Sequence, residues 1–349
     1  MPKQRQSNIE LLRIAAMMMI IGIHLNAALG WPFAKEPICS GDLGMNLWRE
    51  YFMSYFYYSV DAFVLISGWF GIRFKWQGLF KFVFQCLFIW VAIYFTLVAL
   101  GMINLDNKYI LQALFLRRGG WFVKSYLFLF LLSPVLNVFV EHAGKRQHLM
   151  VLCVFYLFQT LLAWYPGATV AEISRGYSAL SFIGLYLLAR YIRLYGANYP
   201  RLFGQNKWIY LALTFVIAAI ISLPGSYWMR HGVNWWHVMN SYVSPLTISG
   251  AVCLLLFFSR LNIQSKVINF LAAGSFAVYL FHENPIIKGH FNRIVQDIFH
   301  RCDGMVCLLA FVGFVVAVYL CGVLIDQIRV GIWKGILHVF RKKTGHNDA

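Results

Sequence analysis

The chain is 349 residues long, 60% hydrophobic and only 12% charged, with a mean hydropathy of +0.64. A soluble domain is nearer half apolar and a quarter charged, so this composition excludes an ordinary soluble protein and points to a polytopic integral membrane protein. The formal net charge of +17 does not argue for nucleic acid, because the basic residues collect between apolar stretches, where the positive-inside rule puts them.

A membrane helix needs about 20 mainly apolar residues. That rule predicts an all-α membrane bundle of about ten transmembrane helices, near 9–29, 51–71, 79–101, 121–140, 148–165, 177–195, 207–224, 238–258, 267–287 and 304–325, forming a single domain over 1–349. The opening MPKQRQSNIELLRIAAMMMIIGIHLNAALG has the basic start and apolar stretch of a signal peptide. Its apolar part is long enough to span and carries Arg13 and His24, so it is predicted to stay as the first helix.

Lys and Arg fix the orientation. With the N-terminus inside, Lys3, Arg5, Arg73, Lys75, Lys145, Arg146, Arg190, Arg193, Arg201, Lys207 and Arg260 fall on the inner side, and the outer segments hold fewer, among them Lys35, Lys124, Arg175 and Lys288. Both termini are therefore predicted cytoplasmic. After the last span, IDQIRVGIWKGILHVF sets Ile328, Ile332, Ile336 and Phe340 at helical spacing, with Arg329 and Lys334 off that stripe, which predicts an interfacial helix in a short basic tail over about 326–349. The seven cysteines show no metal-ligand spacing, and no metal is expected; Cys39 and Cys302 are the two that fall in predicted outer loops, where an oxidising compartment would let them pair.

Ionisable groups at membrane depth are costly, so each is a candidate for function. Arg13 and His24 lie eleven residues apart, which is about three full helical turns and roughly 16 Å along the axis, so both point the same way. A permanent cation at the inner mouth suits a phosphate, and an imidazole deeper in suits proton abstraction or nucleophilic attack. The separation is about the length of a pantetheine arm. The plainer alternatives stay open: Arg13 as a snorkelling flank residue paired with Glu10, and His24 as a packed histidine. The ninth predicted span ends AVYLFHENPII, which puts His282 and Glu283 at about the depth of His24, where the carboxylate could orient an imidazole. Pro285 reads either as a helix end or as a break that opens carbonyls.

Asp61, Lys124 and Asn284 are candidates for substrate contact. For Asp61 a structural ion pair is an equal reading, and for Lys124 so is snorkelling. Arg73 and Lys75 follow Ser67-Gly68, and Arg190 and Arg193 end the sixth span on the inner side, where they could hold phosphates or simply obey the charge rule. Ser67-Gly68 reads as close helix packing before it reads as a nucleophile.

Taken in order, IELLRIAAMMMIIGIHL, VDAFVLISGWF, WFVKSYLFLFLLSPVLN and FAVYLFHENPI resemble the acyltransferase-3 family, which includes O-acetyltransferases of bacterial surface polysaccharides. The resemblance implies a multi-pass protein of the bacterial plasma membrane that carries an acyl group, usually acetyl, from cytoplasmic acyl-CoA to a hydroxyl of a surface polysaccharide or lipid-linked sugar at the outer face. It makes His24 the catalytic histidine and Arg13 a donor-binding residue. Acetyl-CoA is then a substrate rather than a resident cofactor, and the partners are the glycan acceptor, membrane lipids and glycan-assembly machinery. The arginines that many members carry just after the Ser-Gly segment are only loosely matched by Arg73, Lys75 and Lys81. A transporter or flippase of a lipid-linked glycan is the rival class, although the paired broken helices and inverted repeats of transporters are missing from the sequence.

Overall fold

Apolar runs become helices throughout the computed structural model, which describes residues 5–30, 43–106, 120–164, 173–230 and 236–343; among these residues every regular element is helical. In chain order they are α1 (Ser7–Ala28), α2 (Leu43–Phe56), α3 (Tyr58–Phe70), α4 (Trp76–Ala99), α5 (Trp121–His142), α6 (Lys145–Gln159), α7 (Ala179–Tyr195), α8 (Pro200–Phe203), α9 (Lys207–Arg230), α10 (Trp236–Met239), α11 (Pro245–Ser259), α12 (Lys266–Ala273), α13 (Ser275–His282), α14 (Pro285–Arg301) and α15 (Gly304–Lys343). Among the described residues, five stretches are long and apolar enough to cross a membrane: Ser7–Ala28, Trp76–Ala99, Trp121–His142, Lys145–Trp164 and Gly304–His338. Some of the other predicted spans are interrupted, as at Tyr57 between α2 and α3 and at Gly274 between α12 and α13, whereas the one near 207–224 lies within the continuous helix α9. Large apolar side chains such as Val135, Leu157, Leu308 and Leu324 face outward. A water-soluble surface would not carry so many of them.

The helix breaks have local chemical causes. Pro134 sits inside α5 and cannot donate to the carbonyl of Phe130 one turn back. The Ser133 hydroxyl donates to that carbonyl at 2.7 Å instead, which keeps it satisfied where water is scarce. Pro285 proves to be a helix start: it occupies the first turn of α14, and the Asn284 side chain caps that turn by accepting from the Ile286 amide at 2.9 Å.

The chain divides into two compact units, one comprising 1–75 and 121–269, the other 76–120 and 270–349. In the first unit, one end is tied together by polar side chains. Asn8 donates to the carbonyls of Phe258 and Ser259, at 3.0 and 3.2 Å, and so caps the last turn of α11. Ser7 and Ser265 bond in both directions. The Arg260 guanidinium donates to Leu256 and Phe203 carbonyls and lies 4.6 Å from the Tyr210 ring centre. Lys145, at the start of α6, lies over the Tyr199 ring at 4.5 Å. The start of α1 therefore shares an end with the start of α6, the turn after α7, and the end of α11. Arg5, Lys145, Arg193, Arg201, Lys207 and Arg260 cluster around it.

Helices α3 and α7 pack closely at Gly68. A side chain at Gly68 would bring its Cβ within 2.5 Å of the Tyr186 carbonyl oxygen and 2.8 Å of the Ala189 methyl. Ser67 bonds back to the Phe63 carbonyl and across to the Tyr126 hydroxyl, so Ser67-Gly68 is a packing element. Gly68→Val is expected to cost about 1–3 kcal/mol or more through overpacking against backbone. The check is a fall in the thermal midpoint and in the monodisperse fraction of purified protein.

In the second unit, Tyr319 bridges the α12–α13 break, donating to the Leu271 carbonyl at 3.1 Å and bonding the Ser275 hydroxyl at 2.8 Å. Helix α15 runs through residue 326 without a break, so the described part of the tail continues the helix of the last predicted span. Asp326 and Arg329 are both buried, paired at 2.7 Å, and Gln85 of α4 donates to the same carboxylate oxygen at 2.9 Å. Arg329, expected on a wet face, is instead held inside by this trio. Cys39 lies outside the described residues, and Cys302 has no disulfide partner among the described residues.

Candidate functional site

The basic end of the first unit is organised around the turn that follows α3. Gly71 has φ +76°, and its amide donates to the Ser67 carbonyl at 3.0 Å, the left-handed ending for which glycine is suited. A Cβ there would lie 3.2 Å from an Arg190 terminal nitrogen, so the glycine also lets the guanidinium rest against the backbone. The next residue is held by a closed circuit. The Ile72 amide donates to the Tyr186 hydroxyl at 3.1 Å, that hydroxyl donates to Asn137 Oδ1 at 2.6 Å, and Asn137 Nδ2 donates to the Ile72 carbonyl at 2.7 Å.

Two of the predicted phosphate-binding residues meet this turn. Arg190 is half-buried, and its Nε has no hydrogen-bond partner among the described residues. Arg193 lies 4.7 Å over the Trp69 ring, a cation–π contact that orients it. Arg73 and Lys75 are exposed immediately beyond the turn. Behind them, buried His148 donates through Nε2 to the Leu187 carbonyl at 3.1 Å, so it packs the helix that carries the arginines. Four cations around a rigid turn, three of them guanidinium forks, make a setting for phosphate oxygens.

Helix α1 connects the two ends of this unit. It is unbroken from Ser7 to Ala28 and packs along α3 and α11, so Arg13 and His24 keep the shared direction that their spacing implies. Arg13 forms the ion pair with Glu10, at 3.2 Å, and its side chain remains 29% exposed. The plainer reading of this pair is thus realised, and the exposed part of the guanidinium still offers further donors. His24 is half-buried near the opposite end. The Cβ of a residue replacing Gly22 would lie 2.7 Å from the Phe56 ring, and Ile23 packs with Phe56 and Tyr57 on Met53. The turn bearing His24 is therefore pressed against the α2–α3 break.

Asp61, one turn into α3, is completely buried, and neither carboxylate oxygen has a hydrogen-bond partner among the described residues. The Tyr156 hydroxyl, also without a partner there, lies within electrostatic reach of it. No described basic group pairs with Asp61, which weakens the structural reading weighed for it. Lys124 is exposed at the same end, as a snorkelling lysine would be.

In the second unit, His282 is buried. Its Nδ1 donates to the Val278 carbonyl at 2.6 Å, which fixes the tautomer and the ring. Glu283 pairs with Lys288 at 2.9 Å. Lys288 is a partner that the sequence reading, which counted it only among outer cations, did not find. The two residues straddle the Pro285 helix start, so no helical spacing rule flags them. Asn284 is buried; its Oδ1 serves the α14 cap, and its Nδ2 has no partner among the described residues.

A family model described as an acyltransferase domain, acyltransferase-3, matches residues 6–326. Neither a curated protein nor a solved structure matches the chain. The family match runs from the start of α1, with Arg13 and His24, to within α15, and so takes in every site described above. With most of its length matched, the chain belongs to the acyltransferase-3 family.

Proposed function

We propose that this acyltransferase uses acyl-CoA, with acetyl the favoured acyl group, and transfers it to a sugar hydroxyl of a surface polysaccharide or lipid-linked glycan on the far side of a bacterial plasma membrane. In this reading about ten helices span the membrane, both termini are cytoplasmic, and the basic end of the first unit faces the cytosol. One observation carries it: a single unbroken helix bears a guanidinium near the basic end and an imidazole near the other, and a rigid turn with Arg190 and Arg193 lies at the basic end.

The donor's phosphates rest on Arg190 and Arg193, helped by Arg73, Lys75 and Arg13. The pantetheine arm runs along α1, roughly 16 Å between Arg13 and His24. His24 takes the proton of the acceptor hydroxyl as its oxygen attacks the thioester carbonyl. The carbon–sulfur bond then breaks, and the proton passes from the imidazolium to the departing thiolate. Asp61 positions the acceptor hydroxyl. Lys124 and Asn284 are the remaining candidates for acceptor contact, and His282 and Glu283 for supporting the chemistry; their place in the reading rests on the sequence motif.

The test uses the full chain in proteoliposomes with labelled acetyl-CoA on one side and glycan acceptors on the other. Label in the glycan supports the proposal; glycan movement without label favours the transporter class. Arg190→Ala and Arg193→Ala are expected to raise the KM for acetyl-CoA by about tenfold each, the loss of one charge-assisted contact, with kcat little changed. An acetyl-pantetheine donor lacking the nucleotide phosphates should not distinguish the variants from wild type, and equal sensitivity to both donors would remove the phosphate role.

A further inference from the structure

At the end of the first unit where α1 finishes, four rings from separate segments pack together. Tyr57, in the α2–α3 break, meets Tyr242 at 5.3 Å between ring centroids. Tyr242, shortly before α11, stacks on Trp121 at 5.9 Å and meets Tyr177 at 5.3 Å. Trp121, the first residue of α5, meets Tyr177 at 4.5 Å. Tyr177 is 42% exposed and Trp121 half-buried, so ring surface stays open at this end.

An interfacial belt would explain aromatic residues at a helix end, but it leaves two features without a reason. The turn before α7 is locked onto the cluster: Arg175 has φ +56° and Gly176 φ +94°, and a Cβ at 176 would lie 2.5 Å from the Tyr242 Cβ. A non-glycine residue in that region is strained, and such strain persists where packing over-determines it. Here it holds an exposed arginine within electrostatic reach of the Tyr177 hydroxyl. In addition, Asn240, two residues before Tyr242, is 3% exposed, yet neither its Nδ2 nor its Oδ1 has a hydrogen-bond partner among the described residues. The hydroxyls of Ser244 and Thr247, in the same stretch of chain and fully buried, also lack one there. Unmatched donors and acceptors are costly in a buried place, and lipid tails cannot satisfy them. Sugar hydroxyls can, and a pyranose ring offers both apolar C–H faces for aromatic rings and hydroxyls for an amide.

We propose that Trp121, Tyr177 and Tyr242 form a stacking platform for a pyranose ring of the acceptor, that Asn240 hydrogen-bonds its hydroxyls, and that Arg175 favours a ring bearing an anionic group. This rests on the acyl-transfer reading and names the residues that select its acceptor. The platform is continuous with the His24 turn, because Ile23 and Tyr57 pack on the same methionine, Met53, and Tyr57 touches Tyr242.

The experiment measures binding and transfer separately, on the full chain in nanodiscs. The probes are octyl glycosides of glucose, galactose, mannose, rhamnose, N-acetylglucosamine and glucuronic acid. Binding is read by saturation-transfer NMR, and transfer with labelled acetyl-CoA. Trp121→Ala and Tyr177→Ala should each weaken binding of the preferred glycoside and raise its KM by about tenfold, leaving the KM for acetyl-CoA unchanged. Tyr177→Phe should restore binding, since stacking needs only the ring, and Arg175→Gln should abolish preference for the glucuronide. Wild-type binding with unchanged variants overturns the platform alone. Binding that depends on these residues without any transfer of label sinks the enzymatic reading and leaves the platform standing. If wild type neither binds nor acylates any probe, both fall.

Discussion

His24→Ala is expected to lower acyl transfer by about 10²–10⁴-fold, the usual cost of removing a general base, with little change in the amount of folded protein. Alanine is the best helix former, α1 is continuous around the site, and the imidazole is only half-buried, so the substitution opens no large cavity. The KM for acetyl-CoA should stay close to that of wild type, because the phosphates are held at the other end of the helix by Arg190 and Arg193. The measurement is the initial rate of label transfer to glycan in proteoliposomes, normalised to monodisperse protein. The same variant separates two versions of the chemistry. If His24 carries the acyl group itself before passing it on, wild type given labelled donor without acceptor should accumulate label on the protein, and the variant should not. If His24 acts only as a base, neither protein should be labelled. Transfer within about threefold of wild type would remove the imidazole from the chemistry altogether.

Periodicity and spacing gave away the parts of this molecule that depend on neighbours in sequence. The helix holding Arg13 and His24 could be read because the residues between them are all apolar and an eleven-residue spacing brings the two to one side; the Arg13–Glu10 pair could be read because the partners stand at i and i+3. The Ser67-Gly68 contact also followed from small residues alone. What stayed hidden depends on partners far along the chain. Nothing local announces that Gly71 makes room for Arg190, that Asn137 and Tyr186 fix the Ile72 backbone, or that Gln85 reaches Asp326 and Arg329. Arg329 misled for a physical reason: a basic residue beyond the last apolar stretch is usually solvated, and only a buried carboxylate one turn earlier makes its burial tolerable. The aromatic cluster was equally illegible. Tyr57, Trp121, Tyr177 and Tyr242 look like scattered interface anchors until the fold gathers them.

Asp61→Asn is expected to move activity and stability in opposite directions. Its carboxylate is fully buried with no hydrogen-bond partner among the described residues, and an uncompensated carboxylate in such a place is a burden on the folded state. Asparagine keeps the shape without an ionisable group that burial would penalise. Each kcal/mol so recovered should raise the thermal midpoint in detergent by about 2–4 °C. A residue kept for packing has no reason to carry that burden, whereas one that positions an acceptor hydroxyl does, since the missing partner arrives with the substrate. The same substitution should therefore lower transfer by about 10–100-fold, the worth of a hydrogen bond to a charged group, with the loss in kcat over acceptor KM and none in the KM for acetyl-CoA. A fall in both stability and transfer would mean that the carboxylate holds the helices together, and its place beside the acceptor would be lost. A rise in stability with full activity would leave the buried charge without a task in catalysis, and the orientation of the hydroxyl would then have to come from other groups at the His24 end.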